Sequence, residues 1–159
     1  MRFLVRSAGR PRSRAPVRMF IAFAALALAG WVLQRVRGGG LVPAEVEAYY
    51  LGLPGGEPLG SAALWEEVHV GAFVHGFTLF MLGSLLVVSP VRDGARRALL
   101  VVAAAAALCD LLAPFAVVAL GGWGAIRVAT FVAAALSSAT LLVVVALRFG
   151  SEVGGARPR

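Results

Sequence analysis

Four apolar stretches organise the chain, over residues 17–36, 65–89, 98–120 and 125–147. None is broken by the alternating polar face that a helix on a soluble domain needs. A helix crosses a hydrocarbon core of about 30 Å with roughly 20 apolar residues, and the last three stretches reach that length comfortably. The first is shorter. Its uncharged core runs from Met19 to Leu33, so it spans only if Arg18, Arg35 and Arg37 reach out to the interfaces. Its basic start and the small residues Ala27 to Gly30 also resemble a secretory signal, but the apolar run continues through Trp31, Val32 and Leu33. That favours an uncleaved anchor. Backbone groups in lipid must bond within their own segment, so each span is predicted to be helical.

The segments between the spans set the topology. A basic tail covers 1–16, a loop or cap 37–64, a connection 90–97, a tight turn 121–124 and a second tail 148–159. Within the cap, Pro43 to Tyr50 reads as a short helix with proline in its first turn and acids near its positive end. Leu51 to Gly60 reads as a loop, with two prolines and four glycines. Twelve arginines flank one side of the spans, and Arg35, Arg37 and Arg127 flank the other. The positive-inside rule then places both termini in the cytoplasm. Trp31, Trp65, Trp123, Tyr49 and Tyr50 gather at the opposite ends, where an aromatic belt is expected. The predicted fold is therefore all-α: an integral membrane four-helix antiparallel bundle, N-in and C-in, with a short outer cap between helices one and two.

Composition agrees with the pattern. Of 159 residues, 60% are hydrophobic and only 14% charged, against about 45–50% and 25% for soluble domains. A soluble enzyme, a disulfide scaffold and a disordered tail are excluded, and the lone Cys109 has no partner for a bridge. The net charge of +7 comes from arginines outside the apolar runs, which is not a nucleic-acid footprint. It suits the anionic inner leaflet, met through the arginine-rich N-terminal tail.

Ionisable groups in or near the bilayer are functional suspects. Glu66, Glu67 and His69 open the second span, His75 lies deeper in it, and Asp110 lies in the third. Glu66 and His69, three apart, share a helix face and with Glu67 make a candidate outer-surface metal site. His75 sits about 13–14 Å below Glu66, and Asp110 about 15 Å below Leu120, at 1.5 Å per residue. The two are expected to meet as a buried polar pair, a candidate cofactor site or simply an interhelical hydrogen bond. Pro114 cannot donate to the Asp110 carbonyl, which leaves an unused acceptor at that depth. Glu66 and Glu67 are also placed to pair with Arg127 across the outer surface. A single Glu-x-x-His copy is too few for a di-iron bundle. Haem b would need a second ligand from Met81, Cys109 or another chain. Small residues in spans two to four, among them Gly76, Gly83, Ser84, Ser137, Ser138 and Thr140, suit close helix packing.

Pro43, then Tyr49-Tyr50-Leu51-Gly52, then Glu67-x-His69 opening a span and Asp110 with Pro114 in the next, resemble an uncharacterised family of small four-span bacterial membrane proteins. The resemblance covers roughly residues 40–115. It implies a four-span fold and no particular activity. Members place a second His two residues after the first, where this chain has Gly71.

With no nucleophile constellation and no soluble catalytic domain, a non-enzymatic accessory subunit of a bacterial inner-membrane complex is the leading expectation, electron-transferring in kind, with other subunits or further copies of itself as partners. The alternatives are a haem- or metal-binding redox protein using His69 or His75, and a proton-coupled carrier using His75 and Asp110.

Overall fold

The structure, a computed structural model, describes residues 15–52 and 56–151. Five helices follow in order: α1 (Ala15–Gly39), α2 (Pro43–Leu51), α3 (Ser61–Val87), α4 (Asp93–Leu120) and α5 (Gly124–Ser151). No strand occurs among the described residues. Four helices, all but α2, are long and apolar enough to cross a membrane. The all-helical, four-span bundle expected from the sequence is the fold. Most of the basic N-terminal tail and of the C-terminal tail lies outside the described residues.

The helices run longer than the apolar stretches. Hydropathy marks the part of a helix that sits in hydrocarbon, whereas backbone bonding continues into the interface. Thus α3 starts at Ser61 and α4 at Asp93, four and five residues before the apolar limits at 65 and 98. Asp93 stabilises the positive end of α4. It also pairs with Arg96, whose Nη1 donates to the Val87 carbonyl at the end of α3 at 2.8 Å.

The spans form a ring in which α1 packs on α3 and α5, and α4 packs on the same two. Each turns a stripe inward at alternating spacings of three and four. On α5 the stripe is Gly124, Arg127, Phe131, Ala134, Ser138, Leu141 and Val145. On α1 it is Ala24, Leu28 and Trp31, with half-buried Arg35 continuing it. Lipid is as apolar as leucine, so close packing rather than water exclusion must hold such helices together. Small residues supply it: Ala103 and Ala107 on α4 and Ala134 on α5 are buried at the seams. A Cβ at Gly83 would come 3.2 Å from Leu100 Cδ2, and one at Gly71 would come 2.9 Å from Leu111 Cδ2. Ser84 and Thr140 are exposed and so depart from the packing expectation, as does Gly76. Open space surrounds it, because it faces outward with Phe73, Phe77 and Phe80.

The cap is the short helix α2 laid over the ends of α4 and α5. Pro43 begins it, and the Glu45 and Val46 amides donate to the Val42 carbonyl at 3.0 Å. Gly52, with φ 82°, ends it, in backbone geometry that glycine adopts readily. Val46 and Tyr50 point down and pack with Leu64 and Val117. At the edge of the cap, Glu47 Oε1 accepts from the Gly124 amide at 2.9 Å, satisfying a free N–H at the start of α5. A side chain at 124 would collide with the Pro43 carbonyl, so glycine there lets the cap sit this close.

Two members of the expected aromatic belt are not in it. Trp65, Trp123 and Tyr49 are exposed, but Trp31 and Tyr50 are buried. Trp31 occupies the inward stripe of α1, and Tyr50 shares the buried face of α2 with Val46 four residues earlier.

Candidate functional site

Beneath the cap, α1, α2, α3, α4 and α5 each contribute to one polar cluster. Its lowest member is His75, 4% exposed, whose Nε2 lies 3.2 Å from Asp110 Oδ2. Asp110 is fully buried, and its other oxygen accepts from Arg127 Nη1. An ionised carboxylate only accepts, which assigns the hydrogen to Nε2 of His75. The indole of Trp31 meets the imidazole edge-on, with ring centroids 4.7 Å apart, and touches Phe131 on its other side at 4.9 Å.

Arg127 links this pair to the cap. Its Nε donates to the Tyr50 hydroxyl at 3.3 Å, and its Nη2 is 3.7 Å from Glu67 Oε1. Tyr50 donates to that same Glu67 oxygen. Arg35 completes the cluster by an ion pair with Glu67 Oε1 and a 3.5 Å contact to the Tyr50 hydroxyl. Two guanidinium groups therefore face two carboxylates, and the fixed charge of the cluster sums to zero. Such balance is what a low-dielectric interior demands, since an unpaired buried charge is strongly destabilising.

The pairing is not saturated. Glu67 Oε2 and the Trp31 indole N–H are buried with no hydrogen-bond partner among the described residues, as is the Thr78 hydroxyl one turn below His75. A cavity of about 270 Å³ adjoins the cluster, walled by Trp31, Arg35, Tyr49, Tyr50, Glu67 and Phe131. Its rim between α1 and α3 includes Gln34, Glu66 and Val70, all exposed.

His75 and Asp110, singled out by depth, are thus in contact. Glu66, Glu67 and His69 are not gathered. Glu67 turns inward to Arg35, Glu66 stands at the cavity rim, and His69 is exposed. No three His, Cys, Asp or Glu side chains among the described residues form a group able to hold a metal. Arg127 is not an outer-surface partner for the two glutamates. It is 4% exposed, reaches Glu67 inside the bundle, and holds Asp110. Sequence reasoning placed Arg35 at an interface and Trp31 and Tyr50 in the aromatic belt, and so missed all three as members of the cluster. The available signal was periodicity, since Arg35 follows Ala24, Leu28 and Trp31 at helical spacing.

These features define a multi-pass membrane protein with a polar core under a one-sided cap. Residues 40–152 match the Aq_1264_TM family, a transmembrane helical domain, over more than two thirds of the chain. The protein belongs to that family. No curated protein and no solved structure matches it. The matched region begins after α1, so it contains Tyr50, Glu67, His75, Asp110 and Arg127, whereas Trp31 and Arg35 precede it.

Proposed function

We propose that this membrane protein is a non-enzymatic accessory subunit of a complex in the bacterial inner membrane. The observation that supports this reading best is the charge-balanced cluster. Arg35, Glu67, Asp110 and Arg127 are each engaged with another member of the chain, and together with Tyr50 they tie all five helices into one unit. Groups held in that way fix a shape. The outward faces are apolar instead, with Phe73 and Phe80 each 72% exposed and Leu136 63% exposed, suited to lipid or to a neighbouring span. The arginine distribution favours cytoplasmic termini and an outer cap.

The test is migration of the wild-type protein, extracted from its native membrane in mild detergent, on a native gel. It is expected to run with other polypeptides or as a multimer. Migration as a lone monomer would end this reading.

The carrier reading has one observation in its favour. Glu67, Tyr50, Arg127, Asp110 and His75 make an unbroken series of contacts from the cavity towards the middle of the spans. A proton-coupled carrier would need such a series. The haem or metal reading draws less support, because His69 faces outward and Nε2 of His75 is taken by Asp110.

A further inference from the structure

Lipid accounts for an apolar outer surface, but not for the uneven one this bundle presents. Among the described residues, the outward faces of α4 and α5 carry no exposed phenylalanine and are built from residues such as Leu108, Leu112, Val132 and Leu136. The outward face of α3 instead holds Phe73 and Phe80, each 72% exposed, and Phe77, with Trp65 nearer the cap. Between the phenylalanines lies Gly76, surrounded by open space. Gly71 and Gly83 on the same helix admit close neighbours from α4, but no described residue of the chain requires a glycine at 76. Glycine weakens a helix relative to alanine, so its place here points outside the chain.

The spacing of these residues makes the face complementary to itself. At 3.6 residues per turn, Phe73 and Phe80 lie about 20° apart around the axis and mark the middle of the face. Gly76 and Phe77 lie about 50° to either side of that line and differ in depth by about 1.5 Å. A two-fold axis along the membrane normal sets each side of such a face against the opposite side of its copy. Phe77 of one copy then meets Gly76 of the other at the same depth, twice, while Phe73 and Phe80 meet their own counterparts across the axis. A ring entering a glycine hollow is the close packing that joins spans where water exclusion is absent, and aromatic pairs add to it. The entering ring is already held, because Phe73 stacks on Phe77 with planes 11° apart and centroids at 6.3 Å. Phe73, Phe77, Phe80 and Trp65 together expose the surface of about two and a half whole aromatic residues, at about 150–250 Å² each. That amounts to about 800–1,200 Å² for a pair, which brackets the roughly 1,000 Å² that a specific interface needs.

We propose that two copies of the chain pair through the outward face of α3, about a two-fold axis along the membrane normal, with Phe77 of each copy seated against Gly76 of the other. The pairing rests on this face alone and holds whether or not the pair joins further subunits.

The test is oxidative cross-linking of the full chain in its membrane, with Cys109→Ser removing the native thiol. Phe73→Cys is expected to give a product of twice the chain's mass, about tenfold more of it than Leu112→Cys on α4 or Leu136→Cys on α5. Adding Gly76→Phe fills the hollow and should lower the Phe73→Cys product by about tenfold or more. Adding Phe77→Gly as well exchanges ring and hollow, so the face matches its copy again and the product should return. Val132→Phe, which puts a ring on the outward face of α5, should change nothing. Equal products from the three helices, no effect of Gly76→Phe, no recovery in the exchanged variant, or a Phe73→Cys product whose mass reveals a different polypeptide would each overturn the proposal. None of these results bears on the accessory-subunit reading, which stands or falls by whether the wild type migrates with other polypeptides.

Discussion

Arg127→Met tests whether the charge cluster is the keystone of the bundle. Arginine and methionine are of comparable length, so the substitution removes charge with little change in packing. It takes away the Nη1 bond to Asp110, the Nε bond to Tyr50 and the Nη2 contact with Glu67 at 3.7 Å. Glu67 keeps Arg35, but Asp110, fully buried, keeps only His75. Breaking a buried pair from one side costs about 3–5 kcal/mol, because the remaining charge is uncompensated. Replacing both members with apolar groups is neutral or better by the same reasoning. The double variant Arg127→Met with Asp110→Leu removes that charge. It leaves the His75 ring N–H without its acceptor, a cost of about 1–3 kcal/mol. The double variant should therefore be more stable than Arg127→Met alone by about 2 kcal/mol. Equilibrium unfolding in mixed micelles with a denaturing detergent, followed by tryptophan fluorescence, measures both. A loss below about 1 kcal/mol for the single variant, or a double variant no more stable than the single, would refute the claim that Arg127 neutralises Asp110.

Two further substitutions probe the cap and the seams. Tyr50→Phe keeps the buried ring but deletes the hydroxyl that joins Arg35, Arg127 and Glu67; it should cost about 1–3 kcal/mol in the same unfolding assay and speed limited proteolysis within the cap. Gly71→Leu and Gly76→Leu make a matched pair on α3, the first driving a side chain towards Leu111 and Arg35, the second entering open space. The first should lose about 1–3 kcal/mol by overpacking and the second stay within about 0.5 kcal/mol of wild type.

The spans were legible because lipid imposes a simple condition on composition and length, and every apolar stretch proved to be one helix. The short cap helix was legible for a local reason: proline and acids at its start and a run rich in proline and glycine after it. The contact of His75 with Asp110 followed from counting depth on antiparallel helices. What could not be read was the rotation of helices about their axes. Axial depth depends on one helix at a time, whereas rotation depends on which neighbours it meets. Gly71 and Gly76 illustrate this: both are glycines of one helix five residues apart, and only the first meets a neighbour. The same uncertainty hid Arg35, whose position near a helix end fits an interfacial cation as well as it fits a core residue.

That ambiguity bears on how arginines are counted in a small membrane protein. Arg35 and Arg127 belong, by sequence position, to the cap-side flanks, where they count against the charge asymmetry that orients the chain. In the folded bundle they serve a different purpose. Each pairs with a carboxylate, Arg35 with Glu67 under the cap and Arg127 with the fully buried Asp110. Only Arg37 stays exposed on the cap side. Buried Arg127 and half-buried Arg35 are therefore better regarded as partners required by Asp110 and Glu67 than as interfacial anchors. Without them, Glu67 beside the cavity and Asp110 beneath it would be uncompensated, and the cap would lack the arginines that meet the Tyr50 hydroxyl.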